Sequence, residues 1–168
     1  MLPNPLHPAI VHFPIVLAFL LPIFALGALR AIRRGARARR AWLVPLALSA
    51  ALTLGAWVAV QTGGAQEERV EQVVPDQALD THEDAAELFL AMSAVLLVVA
   101  GIGLVGGTIG RSARVLATIG AAALVVQVAR VGHSGGQLVY RYDAASAYAN
   151  PSNAATANGE HAGGDHGQ

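Results

Sequence analysis

Four long apolar stretches constrain this chain more than anything else in it. They run roughly over Pro8–Leu29, Trp42–Val60, Ala85–Ile109 and Val115–Val131. Each is near the ~20 residues a helix needs to cross ~30 Å of hydrocarbon. Strand spans would alternate polar and apolar residues over about half that length, so helices are the form these stretches can take. Only 13% of the 168 residues are charged and 54% are hydrophobic, too little polar surface to cover a soluble domain of this size. The expected fold is all-α: an integral membrane four-helix antiparallel bundle over residues 1–143, followed by a mobile periplasmic tail, 144–168.

Charge placement orients the bundle. Arg30, Arg33, Arg34, Arg37, Arg39 and Arg40 follow the first span with no acid among them, and Arg111 and Arg114 sit between the third and fourth. All eleven acids lie in residues 67–87 or towards the C-terminus. The positive-inside rule puts the arginine loops in the cytoplasm and both termini outside, as expected of a multi-pass protein of a bacterial inner membrane. Nothing basic precedes the first span, and its apolar run is too long for a cleaved secretory signal. The chain has no cysteine, which removes disulfides, thiolate metal sites, CxxCH haem attachment and cysteine nucleophiles. No basic face is available for nucleic acid.

Between the second and third spans, residues 65–74 suit a short acidic helix stopped by Pro75, with Asp80 or Thr81 capping the third span. Gly106-x-x-x-Gly110 reads as a close helix contact at the inner end of that span. The Ala-, Asn-, Gly- and Ser-rich tail cannot bury enough apolar area to fold alone. Its His161 and His166 read as solvated.

Ionisable residues inside spans are informative because they are costly. His7 and His12 lie at the outer start of the first span, His82 at the outer start of the third, and His133 at the outer end of the fourth. The topology collects all four at one face. A single imidazole at that depth is most simply an interfacial polar group; four together favour a metal or haem ligand site. His7 and His12 are about 140° apart on a regular helix, but Pro8 disfavours helical conformation at His7 and lets it turn inward independently. Pro14 and Pro22 are candidate kinks. Gln127, Arg130, His133 and Ser134 form a polar stripe on the fourth span. Arg130 there needs an anion: a lipid phosphate, an acid atop the third span, or a haem propionate. No nucleophile elbow, zinc-protease, Walker or Rossmann fingerprint is present. Ser134 beside His133 is too little to argue a catalytic pair.

Leu6-His7-Pro8-Ala9-Ile10-Val11-His12-Phe13-Pro14-Ile15 resembles the LHPxxVHFPI opening of an uncharacterised bacterial family of four-helix membrane proteins, catalogued as a domain of unknown function. Gly132-His133-Ser134-Gly135-Gly136-Gln137-Leu138-Val139-Tyr140 resembles its GHxGGxLVY ending, and His82-Glu83 resembles its histidine before the third helix. Together the matches cover residues 6–140. Where members often continue with glycines, this chain has Asp143 and Ala145. Some members are joined to c-type cytochrome domains, which implies membrane electron transfer, with His7, His12, His82 and His133 carried over as candidate ligands.

The leading expectation is a b-type cytochrome-like electron carrier. His7, His12, His82 and His133 supply axial ligands to haem b, with pairings of His12 with His82 and His7 with His133 among the options. Arg130 and Gln61 lie at the rim. Periplasmic c-type cytochromes or quinol are the expected redox partners. Two other readings stand beside it. One is an accessory structural subunit of a larger respiratory or photosynthetic membrane complex, packed in the bilayer without its own cofactor. The other is a non-haem copper, zinc or iron ion held by three or four of the same imidazoles.

Overall fold

In the computed structural model, residues 7–65, 70–71 and 73–148 are described, and the apolar stretches form four long helices. A single helical turn, α1 (His7–Ile10), leads into α2 (His12–Arg33), α3 (Ala38–Gly64), α4 (Asp76–Ile102) and α5 (Gly107–Tyr140). A 3-10 turn follows at Ala144–Tyr148. Each long helix holds an 18-residue window of mean hydropathy 1.8 or more, and among the described residues there is no strand. The chain is an all-α, four-span membrane protein whose outer surface meets lipid. Phe19, Ile23, Val95, Val98 and Ile119, which face outward, would be misplaced in water.

Local chemistry sets the helix ends. Pro14 has no N–H to give the Ile10 carbonyl, and the helix breaks at Val11, separating α1 from α2. Pro14 thus stands in the first turn of α2, where it breaks no interior bond. His7 opens a helical turn, against the ordinary preference of a residue before proline. Gly35 has a φ of 99° and turns the chain between α2 and α3. Pro75 stands at the N-cap of α4, so Asp80 and Thr81 lie inside that helix instead of capping it. The helix of the third apolar stretch ends at Ile102, short of the expected Ile109, and α5 begins at Gly107, earlier than its hydropathy suggests. Gly106 and Gly110 therefore straddle the turn into α5, and Gly110 gives way to the Val105 carbonyl, not to a neighbouring helix. Half of the expected acidic helix over residues 65–74, namely 66–69 and 72, lies outside the described residues.

Each long helix packs against the next, and α5 closes the ring against α2. The arginine-bearing end is tightly filled. Trp42 is fully buried there and its indole N–H donates to the Ala100 carbonyl at 2.9 Å. Arg114 is buried and its guanidinium donates to the Gly103 carbonyl, closing the end of α4. Leu21, Leu52, Leu96 and Leu124 continue the core towards the other end. At that other end Val74, Leu79, Leu138 and Ala144 form a small second cluster, so the packed region extends past Asp143. Residues 149–168, with His161 and His166, lie outside the described residues.

Candidate functional site

The end that carries the histidines is open. A cavity of about 600 Å³ lies among all four long helices and α1. That volume is within the range of small-molecule and cofactor pockets, roughly 300–1,000 Å³. Small residues make the room: Ala56, Ala59, Gly63 and Gly64 on α3 repeat at helical spacing, and α5 adds Gly132, Gly135 and Gly136.

Two histidines are built into this cavity. His7 reaches from α1 to α3, where its Nδ1 lies 2.8 Å from the Ala59 carbonyl. A carbonyl only accepts, so Nδ1 carries the hydrogen and Nε2 carries the lone pair. Burial pushes the His7 pKa below the ordinary imidazole value; the Ala59 carbonyl opposes the shift without reversing it. His82, on α4, places its Nδ1 3.0 Å from the Ser134 hydroxyl on α5. Ser134 spends its hydrogen on the Val131 carbonyl, also at 3.0 Å. Its oxygen is then free to accept from the Nδ1–H of His82. The His82 ring has a second hydrogen-bond partner in the Val131 backbone carbonyl. The two rings stand 6.3 Å apart, centre to centre, with planes at 89°.

Each ring occupies space that a glycine leaves. A Cβ on Gly63 would come within 3.3 Å of the His7 ring, and one on Gly135 within 3.0 Å of the His82 ring. The sequence motif around Gly135 thus does two things for a residue 52 positions away: Ser134 orients His82 and Gly135 admits it.

The other two histidines are placed differently. His12 is exposed at the cavity's edge, with Glu83 and Glu87 of α4 also on its lining. His133 is exposed, its Nε2 within 3.0 Å of the Gln137 amide nitrogen, and it does not line the cavity. The helical wheel gives the reason. Residue 133 is about 200° from Gly135, so when Gly135 faces inward His133 faces out. Arg130 is exposed on the same outward side, and neither it nor Gln61 lines the cavity. Gln127 is buried, with its amide donating to the Ala85 carbonyl at 3.0 Å, tying α5 to α4. The structure therefore brings His7 to His82, a pairing absent from either expected combination. Among the described residues no three His, Asp or Glu side chains are grouped to share one metal ion. Sequence reading placed Ser134 in the polar stripe and Gly135 in the closing motif without linking either to His82, and gave Gly63 no role. The signal for them was the small-residue pattern flanking the helix ends, which reads equally well as helix packing.

Fold and site together define a class: a four-span membrane protein with a paired-imidazole cavity at one end of its bundle. The chain belongs to the family described as Predicted membrane protein (DUF2231), whose match covers residues 3–147. Comparison with curated proteins and with solved structures gives no match.

Proposed function

We propose that the cavity takes haem b, which His7 and His82 would hold, and that the protein transfers electrons at one membrane face. The observation that carries this reading is the pair of neighbouring imidazoles in the cavity, each anchored to another helix. Both imidazoles are anchored through Nδ1, the arrangement that outer-sphere partners impose on metal-bound histidine. Two imidazoles either side of one iron, at metal–nitrogen bonds of about 2 Å, stand with ring centres about 6 Å apart. His7 and His82 stand at 6.3 Å. A porphyrin iron needs only two protein donors, which suits a site where the described residues group no third ligand better than a bare copper, zinc or iron ion would.

Bound haem supplies one-electron chemistry. The protein's own residues hold and shield it. Ala59 and Ser134 anchor the two rings at Nδ1. Ile15, Val60, Phe89 and Val131 line the cavity with hydrocarbon and lower the dielectric around the group. No arginine among the described residues lines the wall, so the reading gives Arg130 no part in holding propionates.

The arginines at the opposite end support an orientation in which the cavity opens outward, to the periplasm of a bacterial inner membrane. No histidine of the described residues lies near the arginine-bearing end. Electrons would then enter and leave on the outer side, in exchange with a periplasmic c-type cytochrome or quinol. The test is a reduced-minus-oxidised optical spectrum of the detergent-solubilised protein, expressed with haem supplied. A stoichiometric Soret and α-band pair is expected. A colourless protein under those conditions contradicts the proposal.

A further inference from the structure

The cavity's glycines divide into two kinds. Gly63 and Gly135 are needed because a side chain would strike an imidazole. Gly64, Gly132 and Gly136 also line the cavity, yet a Cβ on any of them would meet no atom within 4 Å. None of the three has a positive φ that would call for glycine. Glycine inside a helix is a poor choice on propensity, and Gly132 and Gly136 stand inside α5, ahead of its last residue Tyr140. Gly64 closes α3 ahead of a turn, but no turn, clash or backbone strain accounts for Gly132 and Gly136.

Their position does. Counting 100° per residue, the cavity-lining residues of α5 cover one arc: Leu138, Val131, Gly135, Val128, Val139, Gly132 and then Gly136 at its edge. Gly132 and Gly136 are four apart, so they stack along the helix one turn above the other. On that flank, at the cavity's outer edge, the α5 backbone is bare over a full turn: Gly132 is exposed and Gly136 half-buried, with open space before them. Gly64 leaves the end of α3 bare in the same cavity.

We infer that Gly132 and Gly136 form a side-chain-free wall on α5 against which the edge or face of a planar tetrapyrrole lies, making them the size-determining positions of the site. This rests on the haem reading and adds to it the wall that sets the shape of what enters. A strip of backbone without side chains suits a flat, rigid ring, because it lets the ring approach to van der Waals contact along its whole width.

The experiment is a haemin titration of the full-length protein in detergent. Variants are Gly132 and Gly136 changed to Ala, Val and Leu, with Gly27→Val and Gly101→Val as controls. The control glycines also have open space at Cβ but do not line the cavity. Apo-protein thermal midpoint is measured alongside. Haem occupancy is expected to fall with side-chain size, tenfold or more by Val, while the apo midpoint holds or rises because helix propensity improves. Controls should bind as wild type. A merely structural glycine would lower the midpoint and the occupancy together, most visibly at Gly136→Ala, and that result overturns the inference. Wild-type binding by the Val and Leu variants also overturns it, and if His82→Ala abolishes binding in the same assay, the haem reading stands without the wall. If the wild type itself takes up no haem, both fail.

Discussion

The two ends of this bundle are made from the same four helices and are built on opposite plans. At the arginine-bearing end, Trp42 fills the space between helices and Arg114 ties off α4; the interior there is packed as proteins normally are. At the histidine-bearing end the same helices present Gly and Ala inward, and a cavity of about 600 Å³ replaces the core. A bundle left open at both ends would have little to hold its helices at fixed spacing. The lesson is that the tight end acts as a frame, and that the open end can hold two imidazoles in place because its helices are fixed elsewhere.

If that division is right, each end can be damaged without the other. His7→Ala or His82→Ala should lose haem by more than about a hundredfold, since either removes a proposed ligand together with its anchoring hydrogen bond. Haem titration followed by difference spectra measures this, and apo-protein stability should be nearly unchanged. Retained six-coordinate haem in both variants would place the ligands elsewhere. Trp42→Ala should do the reverse. Truncating a buried tryptophan costs about 3–5 kcal/mol, read as a lowered unfolding midpoint in a denaturing-detergent titration. Haem bound to the surviving folded fraction should keep its wild-type spectrum. A changed spectrum would mean the frame and the pocket are not separable.

Smaller effects sharpen the picture. Ser134→Ala removes the acceptor of the His82 Nδ1–H, and loss of such an outer partner typically weakens metal binding about 10–100-fold. The same variant should shift the midpoint potential, whereas a purely structural serine would leave the spectrum and potential alone. The smallest effects are expected at Arg130→Ala and His133→Ala. Both side chains point away from the cavity, so haem affinity should stay within about twofold. A large loss at His133 would show that α5 is rotated relative to the arrangement described here.

Much of the fold was legible in the sequence because hydrocarbon imposes a length and a composition on any span. The four helices were readable for that reason. Their ends were not, since hydropathy marks where the membrane stops and not where the hydrogen-bonded helix does. Asp76–Asp84 is helical though polar, and α5 runs on from Val131 to Tyr140. The site was half legible. That histidines gather at one end follows from topology alone, and His7 and His82 were among those named. Which of them meet depends on rotation about each helix axis. For α5 that rotation is set by close contacts, Gly135 against His82 and Gln127 against Ala85, that no local pattern announces. The stripe of Gln127, Arg130 and His133 looked like one face, but the three span a wide arc, and only Gln127 falls on the buried side.

The central claim is that one iron sits between His7 and His82, and electron paramagnetic resonance of the oxidised, haem-loaded protein tests it most directly. Two neutral imidazoles should give a low-spin ferric signal in the wild type, converted to high spin by either His7→Ala or His82→Ala and unaffected by His12→Ala. A high-spin wild-type spectrum, or a low-spin signal that survives loss of both His7 and His82, would contradict it.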